Sequence, residues 1–354
     1  MSVIIPVYNE QQCFPALFQL LESQQGIRLQ LIFSDGGSTD ASFRLLEDYQ
    51  QASHHQVILV AGLPGRGRQL NGGAAQATAN ILLFLHADSS WQGRDFLANA
   101  VADFFRQRQR QGGLVAGHFP LRFDCSARVY RYLAAKAKLN CSGTVFGDQG
   151  MLLMRTDWCQ LGGFDEQLPV LEDVALAEKV WQRGTWLLLP GELETSHRRY
   201  RQDGVLRRLV DNALLLLVHG AGERSLLPPF LAGYVSPGDT AGLRAGWGEF
   251  FRRLHRLPLL RYLDFWYGCA STLVRYVWLI PYALGWLIGG EVVAGFLLSL
   301  YRPRLEKWIQ SRPFALTLSL LCWLFFYLFC LFRSDCGNGQ LAPLMTPEDQ
   351  RRRS

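Results

Sequence analysis

Apolar positions in the first part of the chain come in short continuous runs: "SVIIPV" (2–7), "LQLIFS" (29–34), "QVILVA" (56–61) and "ILLFL" (81–85). Between them, near 12–24, 41–51 and 68–78, apolar residues recur at helical spacing. Strand-length runs without a polar face belong to a parallel sheet covered by helices on both sides. The pattern predicts an α/β architecture, and such sheets bind ligands beyond the carboxyl ends of their strands.

The same pattern changes character towards the C-terminus. Residues 313–332, "PFALTLSLLCWLFFYLFCLF", contain no charge and meet the length of a membrane-spanning helix. Residues 276–301 are equally apolar but contain Pro281, Gly289, Gly290 and Glu291, so the segment either spans or enters and leaves on one side. Residues 247–262 mix aromatics with arginines, which suits a helix lying in a membrane interface. The organisation expected is an α/β domain over 1–222, an amphipathic or interfacial linker over 223–275, a re-entrant or transmembrane segment over 276–301, a transmembrane helix over 313–332 and a polar tail over 333–354.

Charge sharpens that division. Residues 1–224 hold 22 Lys+Arg and 22 Asp+Glu, whereas residues 225–354 hold 14 and 8, the whole net charge of +6. Arginines flanking apolar runs point to a membrane surface rather than to nucleic acid, for which no motif is present. The start "MSVIIPVYNE" has no basic region ahead of its apolar run and reads as cytosolic. Eight cysteines without a C-x-x-C pair read as free thiols.

Each of the four strands delivers polar residues or glycines to the same edge: Tyr8, Asn9 and Glu10, then "SDGGSTD" (34–40), then "GLPGRGRQLNGG" (62–73), then His86, Ala87 and Asp88. "SDGGSTD" alone could be a turn with Ser38 or Asp40 capping a helix. Together the four suit a metal-bound phosphate, since Mg²⁺ and Mn²⁺ take oxygen ligands and helix starts favour anions. Arg66 and Arg68 add charge-assisted contacts to phosphate or a base carbonyl. Further along, "GGF" (162–164) turns the chain, "DEQLPVLED" returns carboxylates to the open edge, and a helix is expected from Val174 to Arg183. Asp173 there is either a base kept ionised by the helix dipole or, with Glu172, only a cap.

These stretches resemble the family 2 glycosyltransferases of the GT-A fold. The resemblance rests on "SVIIPVYNE", "SDGGSTD", "RGRQLNGGAAQATANILLFLHADS", "GDQGMLLMR", "LGGFDEQLPVLEDVALAEKVWQRG" and "TSHRRYRQDG", in the family's order across residues 2–222. The details look closest to a bacterial subgroup some of whose members are named for arsenosugar biosynthesis. The resemblance implies a Rossmann-like, mostly parallel sheet and a UDP- or GDP-sugar donor. Pro6, Tyr8, Glu10 and Asp35 would line the nucleotide pocket, with Arg66 and Arg68 on the base or phosphates. Asp88 matches the last Asp of the family's D-x-D signature and would hold a divalent metal, Mg²⁺ or Mn²⁺. His86 stands where the first Asp would be. Asp173 matches the catalytic base; Asp148, Gln149 and Glu172 would meet the sugar or acceptor. His197 is either a third metal ligand or a surface histidine in a basic stretch. "HRRYR" lacks the Gln and Trp of the processive polysaccharide synthases, so a single transfer is expected, and Asp173 acting as base on the acceptor implies inversion. A lipid-linked acceptor fits the membrane segments, and the catalytic domain is expected on the cytoplasmic side of the inner membrane. A catalytically inactive membrane scaffold and a sugar-nucleotide synthase are the competing readings; the second lacks a glycine-rich basic loop after the first strand.

Overall fold

The computed structural model describes residues 1–227 and 249–334. Strands β1 (Ser2–Val7), β2 (Gln30–Asp35), β3 (Gln56–Ala61) and β4 (Ile81–Phe84) lie parallel in the order β3-β2-β1-β4. The sheet continues through β7 (Met151–Met154), β5 (Leu114–His118) and β8 (Gly184–Leu188). β7 is antiparallel to both neighbours while β5 and β8 are mutually parallel, so one strand of seven is reversed. A two-stranded parallel ribbon, β6 (Leu121–Phe123) with β9 (Leu193–Thr195), flanks it. This is the expected mostly parallel α/β sheet.

Strand residues divide between the two faces as the pleat requires. Val3, Ile5, Val7, Leu31 and Phe33 pack with helices α1 (Phe14–Glu22), α2 (Ser42–Ala52) and α4 (Phe96–Gln111). Ile4, Ile32, Leu82 and Phe84 face α3 (Arg66–Ala75), α6 (Arg155–Leu161) and α7 (Glu172–Arg183). Full burial of each such side chain contributes about 1.5–3 kcal/mol, so the sheet is the rigid base of the molecule. β3 departs from the expected buried run: as the edge strand it is largely half-exposed. Gly73 brings α3 onto β1, since a Cβ there would stand 2.6 Å from Ile4 Cγ2. That approach carries Arg66, the first residue of α3, over the strand ends.

Beyond the sheet come α5 (Arg128–Ala137), α8 (Arg198–Asp203), α9 (Val205–Gly220), α10 (Leu259–Tyr276), α11 (Leu279–Tyr301) and α12 (Arg312–Ser334). Phe265, Trp266 and Cys269 of α10 are buried with Leu215 and Val218 of α9. The latter part of the stretch expected to be an interfacial linker is thus a packed helix. Residues 228–248, and the tail from 335, lie outside the described residues. In α11 the helical dihedrals fail at Gly289 (φ −145°, ψ 21°) and Gly290 (φ 71°, ψ −153°). Pro281 breaks nothing, because it falls in the first turn, where a missing N–H has no partner to lose.

Candidate functional site

The loops after β1 and β2 are built around each other. Asn9 adopts φ 56° and its Oδ1 accepts the N–H groups of Thr39 (2.8 Å) and Asp40 (3.2 Å). Its own N–H donates to Ser38 Oγ at 2.9 Å. Asp35, buried at the end of β2, accepts from the N–H of Gly37 (2.9 Å), the N–H of Ser38 (3.0 Å) and the Ser38 hydroxyl (2.5 Å). Both Asp35 oxygens are therefore engaged in shaping the loop. Pro6 is half-buried, Tyr8 is exposed, and Glu10 accepts from Cys13 Sγ at 3.4 Å. Gln69 in α3 donates to the carbonyls of Val7 (2.7 Å) and Ser34 (2.8 Å), tying the ends of β1 and β2 to the helix.

The cleft at this edge is lined by Arg66, His86, Gly147, Met151, Phe164 and Asp173. Arg66 holds it together: Nε is 3.0 Å from Glu172 Oε1, Nη2 is 3.8 Å from Asp173 Oδ2, and Nη2 also donates to His86 Nε2. Asp173 Oδ2 accepts the backbone N–H of Gly147 at 2.7 Å, and Oδ1 accepts that of Val174 at 2.8 Å. Gly147 is a glycine for a local reason, since a Cβ would overlap Arg66 Nη2 and stand 2.9 Å from Asp173 Oδ2. Helix α7 begins at Glu172, two residues before its expected start, so both carboxylates lie in its first turn, where the dipole favours their charge. The preceding Leu171 is left-handed (φ 66°), an unfavourable conformation for a branched residue.

Three carboxylates converge here. Asp148 Oδ1 is shut away from solvent with no hydrogen-bond partner. Burial first, and then Asp173 and Asp88, push the Asp148 carboxyl up to about 6 against the pull of Arg66 and Lys136. Burial likewise raises Glu172, opposed by Arg66. Lys136 of α5 sits over the Phe146 ring at 5.3 Å, and burial lowers its pKa. Gln149 is buried and donates to the Thr144 carbonyl at 2.8 Å, which places it in the scaffold beneath the cleft. Arg68, two residues after Arg66, is exposed and does not line the cleft.

The expected metal ligands are not gathered into one set. His86 faces Arg66, Asp88 is exposed, and His197 Nδ1 lies 2.6 Å from Asp124 Oδ1. Among the described residues, the group with metal-like spacing is Glu22, His54 and His55, outside this cleft. Asp88 and Asp173 both push the Asp148 carboxyl up, and a divalent cation beside Asp148 would relieve that repulsion, since Mg²⁺ and Mn²⁺ favour oxygen ligands. Asn9, Gln69, Lys136 and Gly147 went unassigned in the sequence. Asn9 stood among the polar residues at the strand edge and Gly147 within "GDQG", while the signal for Gln69 was a polar residue on the inward side of an amphipathic helix.

Residues 2–141 match the profile of the family described as "Glycosyl transferase family 2", about two-fifths of the chain. An undecaprenyl-phosphate 4-deoxy-4-formamido-L-arabinose transferase of Klebsiella pneumoniae subsp. pneumoniae is 27% identical over 171 residues, 40% of this chain and 51% of that protein. The chain thus spans about half the length of the curated relatives it matches. A mannosyltransferase from Pyrobaculum calidifontis, solved with GDP-Man and Mn²⁺, is 16% identical over 90% of this chain and 85% of its own, at a TM-score of 0.46. S. aureus TarS 1-349 with UDP-GlcNAc is 15% identical over 85% of this chain and 91% of its own, at 0.45. Structural likenesses this distant add no argument about the site.

Proposed function

We propose that this protein is a membrane-attached glycosyltransferase that moves one sugar, with inversion, from a nucleotide-sugar donor to a lipid-linked acceptor. The observation that carries the reading is the Asp173 carboxylate, lodged at the mouth of a mostly parallel sheet between the Gly147 N–H and Arg66. Asp173 takes the proton of an acceptor hydroxyl. The acceptor oxygen then bonds the anomeric carbon from the face opposite the diphosphate, whose bond breaks with its electron pair. Arg66 in the cleft, with Arg68 at its outer edge, would meet the charge that builds on the departing nucleoside diphosphate and supply electrostatic stabilisation. Asp148, whose carboxyl titrates near 6, hydrogen-bonds a sugar or acceptor hydroxyl. Pro6, Tyr8, Glu10 and Asp35 edge the nucleotide pocket.

Asp88, with His86 and Asp148 near it, is the residue proposed to hold Mg²⁺ or Mn²⁺; a bound cation there would neutralise diphosphate charge. His197 is less suited, being paired with Asp124. The acceptor class is suggested by the relative named for undecaprenyl phosphate and by the apolar C-terminal helices. If the attacking atom were a lipid phosphate oxygen, Asp173 would have little proton to move. Because nucleotide-sugars are cytosolic, the cleft is proposed to face the cytoplasm. Helix α12, at 23 residues, is about 34 Å long by helical rise, enough to cross a bilayer.

The test is thermal stabilisation and donor turnover of the purified full chain against UDP- and GDP-sugars, with Mn²⁺, with Mg²⁺ and with EDTA. Stabilisation by one nucleotide family and metal-dependent release of free sugar support the reading. No stabilisation and no turnover with any donor would favour an inactive scaffold, and full activity in EDTA would remove the metal.

A further inference from the structure

The Gly289–Gly290 break does more than kink α11. A Cβ on Gly285 would stand 2.5 Å from Ala294 Cα and 2.7 Å from Ala294 N. Nine residues along a straight helix separate two atoms by roughly 13 Å, so the chain has folded back on itself. Residues 279–288 and 291–301 are the two arms of a helical hairpin, and the Gly285–Ala294 pair allows their backbones to touch. Each arm is about 15 Å long by helical rise, half the roughly 30 Å of a bilayer core. Neither arm crosses a membrane. The stretch Leu259–Ile309 is long and apolar enough for a crossing by composition alone.

One face of the hairpin is claimed by the catalytic domain. Arg128 Nη2, at the start of α5, donates to the carbonyls of Trp286 (3.0 Å) and Leu287 (2.7 Å), which the break leaves without helical partners. Tyr132, one turn on, meets the rings of Tyr282 (5.7 Å) and Trp286 (5.9 Å). The hairpin therefore lies along α5 with its tip pinned by a guanidinium. An arginine at the tip opposes deep insertion, because a charged group is driven towards the interface.

The other face is open and mostly apolar, with Glu291 exposed at the tip as its one acidic group among the described residues 284–300. Leu284, Leu287 and Ile288 of the first arm and Val292, Phe296 and Leu300 of the second are exposed, Ile288 by 77% and Val292 by 83%. The chain that follows carries Arg302, Arg304, Lys307 and Arg312 against Glu306, with Trp308 exposed among them. Cations and an indole beside an apolar face are what a headgroup layer bearing negative charge receives.

We infer that the exposed face of the 279–301 hairpin rests in the headgroup region of an anionic bilayer, entering shallowly and in plane, with α5 holding the catalytic cleft at that surface. The inference rests on the membrane part of the proposed function and not on the transfer chemistry. It resolves the choice left open for 276–301 in favour of an interfacial contact.

The test uses the full chain reconstituted in nanodiscs of phosphatidylcholine and phosphatidylglycerol. The lipids carry a photoactivatable carbene precursor either next to the headgroup or at the end of the acyl chain, and adducts are mapped by mass spectrometry. The expected result is labelling of 284–300 at least fivefold stronger by the headgroup-proximal probe. Equal or stronger labelling by the chain-end probe would overturn the shallow placement. Absence of labelling by both, with dimers in native mass spectrometry or without them, would mean that protein covers this face. Ile288→Glu with Val292→Glu should abolish the shallow adducts while leaving donor hydrolysis in detergent unchanged. Loss of hydrolysis in the wild type would count against the transferase reading alone.

Discussion

The backbone N–H of Gly147 donates to Asp173 Oδ2 across 2.7 Å, joining the turn before β7 to the first turn of α7. That bond fixes the carboxylate's direction before any substrate arrives. If Asp173 is the base, Asp173→Asn should preserve donor affinity within a few-fold and lower turnover by about 10²-fold or more, as loss of a positioned base does. Steady-state transfer assays at saturating acceptor decide it. Turnover near the wild-type value would move the role to Asp148 or Glu172, or mark an acceptor that attacks through phosphate.

Gly147→Ala tests the geometry rather than the chemistry. Its methyl group would overlap Arg66 Nη2 and press on Asp173 Oδ2, so both groups must shift. Overpacking costs about 1–3 kcal/mol in a packed core, and because the displaced atoms are side-chain ends the cost should lie at or below the low end of that range, as urea denaturation should register. The fall in turnover should exceed what that instability explains when activity is measured well below the melting temperature. Wild-type turnover would show that Asp173 tolerates displacement.

Arg66 and Glu172 form the buried part of the cleft's ion pairing, with Glu172 only 2% exposed. Arg66→Ala should cost about 1.5–3 kcal/mol, the range for a hydrogen bond to a charged group, and towards its lower end because Arg66 is itself about a third exposed. Glu172→Gln made in the Arg66→Ala background should recover part of that loss. Denaturant-derived stabilities of the two single variants and the double variant measure the coupling. Strict additivity would mean that the pair contributes nothing.

Asp148 gives the cleft a pH signature. Its carboxyl is raised from an ordinary 3.8 to about 6 by burial and by Asp173 and Asp88. A raised carboxyl favours the folded state while protonated, and that advantage is lost as pH rises through about 6. Asp148→Asn should therefore raise the melting temperature clearly more at pH 8 than at pH 4.5, since the loss runs from about 3.8 up to about 6. The gain is read from paired thermal scans; an equal gain at both pH values would mean that ionisation of Asp148 is not its source.

Continuity of apolar runs made β1 to β4 legible, because strand-length runs without a polar face suit a parallel sheet covered by helices, although the edge strand β3 carries the same pattern half-exposed. "MLLM" at β7 looks the same in either direction, and its reversal depends on which neighbours it meets. Arg66, His86 and Asp173 were legible as members of one edge, and they share one cleft. What linear sequence hides is which oxygen of a carboxylate is already taken. Asp35 reads as a ligand for a nucleotide yet binds its own loop, and Gln149 reads as cleft-lining yet is sunk beneath it. The Gly289–Gly290 pair announced a break, but the fold-back depends on Gly285 meeting Ala294, nine residues away.

Arg66 links three groups that need not act at once: His86, Glu172 and Asp173. A diphosphate entering the cleft competes for the same guanidinium, and every hydrogen bond it captures removes positive charge from beside Asp173. If Asp173 is the base, its carboxylate is then freed from Arg66 only after the donor is seated. A transferase built this way would be given a sequence in time: donor first, acceptor second. Such a clock shows itself in product inhibition, where the free nucleoside diphosphate should compete with the donor and not with the acceptor; competition with both would mean that binding is unordered.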